Sequence, residues 1–141
     1  MNNRWLRGAM VIFPVLTLLF FLYMTFLYSA YESPGRITYF QSCASCHGDN
    51  GEGIALLVPP LKEADYLYKH FEKLPCLIRN GMNDTLIVNG KIYYQPMYPI
   101  KLNDVEIANL MNFIQDTFMS ERKDKVAIRT LWVKTQTDSC K

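Results

Sequence analysis

The sequence predicts an all-α domain carrying one small β-hairpin, preceded by a single membrane-spanning helix. Three observations carry this expectation. A run of 24 residues, Gly8 to Tyr31, contains no charged side chain. Beyond it, helical spacing and helix start and stop signals recur from Gly35 to Phe118. The strong strand signal is Asn89-Gly90, which sits between Thr85–Val88 and Lys91–Tyr94 and suits a tight type I′ hairpin turn.

The amino-terminal run is rich in Leu, Phe, Ile, Val and Met. A helix needs about 20 apolar residues to cross a bilayer. Trp5, Tyr28 and Tyr31 stand near the ends, where amphipathic aromatics favour the interface. Pro14 is tolerated in such a helix. A cleaved signal peptide would have an apolar core of roughly 7–15 residues followed by small residues. Tyr28-Ser29-Ala30 places a bulky Tyr where a small residue is wanted. Residues 1–31 are therefore read as an uncleaved anchor, with cleavage near Ala30 the alternative. Arg4 and Arg7 put the amino terminus in the cytoplasm. The expectation is a single-pass protein of a bacterial inner membrane, held by lipid around this helix, with the rest of the chain in the periplasm.

Residues 32–120 hold seven Lys/Arg against ten Asp/Glu, and residues 121–141 hold six against three. No basic face interleaved with aromatics appears, so a nucleic-acid partner is excluded. The segment 121–141 reads as a basic tail packed on the domain; lipid headgroups or an acidic partner are the other readings. The stretch Glu32 to Lys141 buries only a modest core by itself, so a bound cofactor is expected to add stability.

Each element has its own signal. Gly35, Tyr39 and Cys43 are four apart and share a helical face. Leu61–Lys73 and Leu74–Gly81 read as two helices, with Pro75 in the first turn of the second and Gly81 at its end. Asn103 with Glu106 makes a capping-box pattern ahead of a helix from Val105 to Phe118. Its apolar face is Ile107, Leu110, Met111 and Ile114.

Cys43-Ala-Ser-Cys46-His47 is the most specific feature. The spacing C-x-x-C-H attaches c-type haem. Two thiols one helical turn apart reach two vinyl groups on one haem edge, and the adjacent His becomes the proximal ligand. A thioredoxin-like redox pair would need a βαβ context. Half a zinc site would need a second Cys/His pair. Neither is present in the pattern.

The stretch Cys43 to Gly53, C-A-S-C-H-G-D-N-G-E-G, resembles class I cytochrome c, and the likeness extends from about Gly35 to Phe118. The resemblance implies the class I cytochrome c fold and one covalently attached haem c. It implies that the first helix of the domain crosses the last, with Gly35 at the crossing and Phe113 opposite; a Pro-Gly turn is the plainer reading of Gly35. It also implies a proline carbonyl that accepts a hydrogen bond from the ligand imidazole and orients it. Pro59 is the candidate, with Pro60 the alternative. The order C-L-I-R-N-G, hairpin, Q-P-M is similar to cytochrome c domains of the Bacteroidetes.

The distal ligand of such a haem is Met or His. Met97 lies between Pro96 and Pro99 and ahead of the last helix, an order that resembles the family. The metal ligands are therefore expected to be His47 and Met97. Met82 and His70 remain as rivals. Met111 falls on the apolar face of the last helix and Met119 beyond it.

Cys76 and Cys140 are left over. An even remainder in an oxidising compartment points to a disulfide between them. The alternative is a buried free Cys76 and an exposed Cys140 pairing between chains. No nucleophile–base arrangement, phosphate loop or paired carboxylates accompany the haem motif, so the chain reads as an electron carrier rather than an enzyme. The expected function is one-electron transfer by a membrane-anchored monohaem cytochrome with His/Met ligation. It would act as a shuttle or as a subunit among the proteins of a respiratory complex. A haem-based sensor or a peroxidase would each need an open distal position.

Overall fold

The computed structural model describes the backbone of residues 4–31, 33–120, 128–138 and 140, and the side chains of 12–28, 33–120, 128–138 and 140. The chain divides into two compact units, Met1–Ser33 and Pro34–Lys141.

The first unit is one helix, α1 (Arg4–Tyr31), with Pro14 inside it. Its large apolar side chains from Ile12 to Tyr28 are exposed. Among the described residues, no helix is long and apolar enough to cross a membrane. The membrane-spanning expectation is thus not supported here. Only the side chains of residues 12–28 of α1 are described, and the rest of the uncharged run Gly8 to Tyr31 lies outside them. The side chains of Arg4, Trp5, Arg7, Ala30 and Tyr31, on which orientation, interface and cleavage were argued, lie outside the described residues.

The second unit is helical with one small antiparallel hairpin. Its elements are α2 (Pro34–Ser42), α3 (Ala44–His47), α4 (Asp65–His70), a 3₁₀ turn (Phe71–Lys73), α5 (Leu74–Asn80), β1 (Leu86–Val88), β2 (Lys91–Tyr93), α6 (Asp104–Phe118) and α7 (Thr130–Asp138).

The core forms where α2 crosses α6. A Cβ on Gly35 would lie 2.0 Å from the Asn109 carbonyl oxygen and 2.8 Å from Phe113 Cβ. Only glycine lets the two backbones meet this closely. One turn on, Tyr39 is fully buried against Phe113 and Phe118, with ring centroids 5.3 and 5.1 Å away. α6 starts on the expected capping box: Asn103 Oδ1 accepts from Val105 and Glu106 N–H, and Glu106 Oε2 accepts from Asn103 N–H. Its Ile107, Leu110, Met111, Ile114 and Phe118 are buried, as their spacing requires.

The helix expected over Leu61–Lys73 begins only at Asp65 and tightens to a 3₁₀ turn at Phe71. The backbone of 61–64 is committed elsewhere. Leu61 and Lys62 N–H both donate to the Gly51 carbonyl, and Glu63, at φ +49°, donates to the Phe118 carbonyl. Those bonds fasten the loop after the haem motif to the end of α6.

The hairpin pairs Leu86 with Tyr93, Ile87 with Ile92 and Val88 with Lys91. Asn89 and Gly90 both take positive φ, +50° and +74°, as a type I′ turn demands. Val88 and Tyr93 face inward and are buried. The turn is clasped to α4: Asn89 N–H donates to Asp65 Oδ1 (2.7 Å), and Asp65 N–H donates to Asn89 Oδ1 (2.9 Å).

The C-terminal segment read as a tail contains a helix, α7. Ile128 and Val133 are buried, and Trp132 meets Phe71 at 6.4 Å between ring centroids. Cys140 is disulfide-bonded to Cys76 of α5. Residues 121–127, with much of the segment's charge, lie outside the described residues.

Candidate haem-binding site

The proximal side is built by a short stretch of chain. α2 ends at Ser42, Cys43 turns the backbone, and the single turn of α3 carries Cys46 and His47. His47 N–H donates to the Cys43 carbonyl at 2.9 Å, so the two thiols and the imidazole come from one helical turn. Tyr39 Oη donates to the Gly48 carbonyl at 2.5 Å and holds the end of that turn against the core. Burial, with the neighbouring Cys43 next, keeps the Tyr39 phenol protonated, far above its ordinary range. The chain then doubles back: Gly53 N–H donates to the His47 carbonyl (2.7 Å), and Ile54 pairs with Val58. This turn delivers Pro59.

His47 Nδ1 lies 3.0 Å from the Pro59 carbonyl oxygen. A carbonyl only accepts, so the proton sits on Nδ1 and Nε2 keeps its lone pair. Burial pushes the His47 pKa below its ordinary value, opposed by the Pro59 bond. The ring is therefore the neutral imidazole that a metal ligand must be. Pro60 lines the same wall but takes no such bond.

Met97 lines the same cavity. Its backbone pairs with Met82 through two 2.8 Å bonds, Met82 N–H to the Met97 carbonyl and Met97 N–H to the Met82 carbonyl. Three residues on, Ile100 N–H donates to the Ile78 carbonyl of α5 at 2.9 Å. The Met97 strand is thus laid along the end of α5. Gly81 makes this possible: at φ +71°, a Cβ there would stand 2.4 Å from the Met97 carbonyl oxygen.

Cys43, Cys46, His47, Pro59, Met82 and Met97 all line one cavity of about 470 Å³. The rest of its wall comes from residues such as Leu67, Leu74, Ile78, Val88, Leu110 and Ile114, with Tyr66, Tyr93 and Tyr98 the aromatic contributors. Among the described residues, no Asp, Glu, Lys or Arg lines it. His70 does not reach the cavity; it lies against Tyr66 at 4.7 Å between ring centroids. Met111 and Met119 are buried in the core and are not in the cavity wall.

These residues fit a haem. The cavity is apolar, as a porphyrin face requires, and it gathers two thiols, one imidazole and thioethers. Cys43 and Cys46 stand outside the disulfide. Burial, and then Cys46, push the Cys43 thiol up to about 11, so it is no activated thiolate. Among the described residues, no three His, Cys, Asp or Glu side chains are gathered to hold a bare metal ion. The described sheet is a two-stranded antiparallel ribbon, so a thioredoxin-like βαβ frame is missing there.

Sequence reasoning did not find the Met82–Met97 pairing, the Asp65–Asn89 clasp or α7. The first two are backbone-register facts that residue types do not announce. For α7 a signal existed, in Leu131, Trp132 and Val133 within an otherwise polar run.

A small helical domain that sets two cysteines and a histidine on one turn at the edge of an apolar cavity has the build of a c-type cytochrome. Residues 33–118 match the family model for cytochrome c, and the chain belongs to that family, with covalently bound haem c as its cofactor. Over 91 residues it is 29% identical to a protein of Azospirillum sp. (strain B510) described as cbb3-type cytochrome c oxidase subunit CcoP. The match covers 58% of this chain and 27% of that protein, so the chain spans about a quarter of that relative's length.

Proposed function

We propose that the protein is a membrane-anchored monohaem cytochrome that passes one electron at a time. In this reading Cys43 and Cys46 form the thioether links, His47 Nε2 is the proximal ligand and Met97 the distal one. The observation that carries it is the convergence of these four side chains on one apolar cavity, with His47 fixed through Nδ1 by Pro59.

When bound, the haem supplies an iron that changes oxidation state by one electron without bond rearrangement. The protein's part is to hold it. The Pro59 carbonyl keeps the proton on Nδ1 and the ring in one orientation. A thioether on the far side and an uncharged wall favour the reduced state and so raise the potential. With His47 and Met97 both holding the metal, no position would be left for a substrate, and outer-sphere transfer would be the chemistry left.

The anchor reading rests on the uncharged run Gly8 to Tyr31, the unbroken α1 and the exposed apolar side chains from Ile12 to Tyr28. Arg4 and Arg7 ahead of it favour a bacterial inner membrane with the haem domain in the periplasm. The relative described as an oxidase subunit supports a place beside respiratory complex subunits, as shuttle or as bound component.

The test is an optical spectrum of the purified holoprotein, oxidised and reduced, with and without carbon monoxide. The expected result is a low-spin c-type spectrum with a thioether–iron band and no carbon monoxide shift. A high-spin spectrum, or a shift with carbon monoxide, overturns the ligation. Release from membranes by alkaline carbonate overturns the anchor.

A further inference from the structure

The Met97 strand does not meet α5 at an arbitrary register. Met82 and Met97 exchange both N–H···O bonds, each 2.8 Å. That is the hydrogen-bonded pair of an antiparallel ladder, whose Cα atoms lie about 5.5 Å apart. Directly opposed residues of such a pair send their side chains to the same face. Both side chains line the haem cavity.

Two thioethers therefore enter the distal wall side by side. Met carries three flexible torsions and a polarisable sulphur, so each can reach a point between them. The bridge is held on its α5 side by the Ile100-to-Ile78 bond and by Gly81 packed under the Met97 carbonyl, and its other side runs into the paired β1 and β2.

We propose that Met82 is a second sulphur ligand of the distal site, which takes the iron when Met97 is displaced. The proposal rests on His47/Met97 ligation of the resting protein. In the exchange the iron–sulphur bond to Met97 breaks and one to Met82 forms. Both groups are neutral thioethers, so no proton and no electron moves. The consequence is a distal face closed twice over: loss of one sulphur leaves the iron six-coordinate and out of reach of small ligands.

The experiment uses the full-length holoprotein and three variants, M97L, M82L and the double variant. Leucine keeps the apolar volume, so the cavity wall is retained. The readouts are the thioether–iron band, carbon monoxide binding to the reduced protein and the reduction potential. The expected result is that M82L keeps the band and M97L keeps a shifted one. The double variant loses it and binds carbon monoxide roughly tenfold or more tightly than M97L. If M97L is already open, binding carbon monoxide as the double variant does, Met82 is only wall and the proposal fails while Met97 ligation stands. If M82L alone loses the band and M97L does not, Met82 is the resident ligand and the underlying reading fails with it.

Discussion

The two sides of the haem cavity are built in different ways. The proximal side is local: the thiols, the imidazole and its carbonyl partner all come from Cys43 to Pro59, and the His47–Pro59 bond spans 12 positions. The distal side is assembled from distant segments. Met97 leans on Met82 and α5, its hairpin is clasped across 24 positions by Asp65 and Asn89, and α5 is tied across 64 positions to Cys140. Local geometry survives partial unfolding better than geometry made by loop closure. Attachment and proximal ligation should therefore be all-or-none, while distal ligation should be graded with the integrity of the fold.

The largest effect belongs on the proximal side. On the proposed ligation, Cys46→Ala would remove one thioether link and His47→Ala the proximal ligand. Each is expected to abolish most of the covalently loaded protein, read as haem retained on a denaturing gel. Substantial loading of His47→Ala with an unchanged spectrum would break the proximal assignment and the comparison with it.

Next comes the disulfide. Closing a loop of 64 residues is worth about 4 kcal/mol in the chain-entropy model. Cys76→Ser with Cys140→Ser should lower the denaturant midpoint accordingly, and alkylation should add mass to the native protein only after reduction. Because α5 supports the Met97 strand, the thioether–iron band should fade at lower denaturant than the covalent haem absorbance. Coincident loss of both signals would erase the distinction between the two sides.

Gly81→Ala isolates the distal side without touching a ligand. A Cβ would stand 2.4 Å from the Met97 carbonyl at a left-handed φ of +71°. The strain is of order 1–3 kcal/mol. The expected outcome is a weakened thioether band with haem content unchanged, and an intact band would show that the strand moves freely over α5.

The same contrast explains what could be read in the sequence. The haem motif, the hairpin turn and the capped last helix each rest on a few neighbouring residues whose chemistry admits few geometries, whereas the choice of Pro59 over Pro60 rests on the family resemblance. Gly35 could be placed because the resemblance to class I cytochrome c implies a helix crossing there; its spacing alone leaves a Pro-Gly turn equally open. Leu61–Lys73 was read too long, since apolar spacing does not reveal that the Gly51 and Phe118 carbonyls claim the N–H groups of 61–63. Met97 could be named and Met82 weighed against it, yet their pairing is a matter of register between segments 15 residues apart. The Arg79–Asp104 ion pair at 2.6 Å, joining α5 to the start of α6, is equally non-local.

The smallest expected effect sharpens the comparison through pH. Asp65 is held below its ordinary carboxylate value of 3.8, first by the Asn89 backbone N–H and then by Lys69. Because the folded pKa is the lower one, the stabilisation is complete above the ordinary value and is lost as pH falls through the folded value. Asp65→Asn should therefore loosen the hairpin at neutral pH and converge with the parent protein in acid. Asn89→Gly tests the other half of the clasp. It tolerates the φ of +50° and keeps the backbone N–H, but loses the Oδ1 that accepts from Asp65. Amide exchange in β1 and β2 is the measurement. Faster exchange at Val88 and Tyr93 in both variants, with the His47 environment unchanged, would show the hairpin bracing only the distal side. Equal acceleration around Gly53 and Pro59 would mean that the two sides open together.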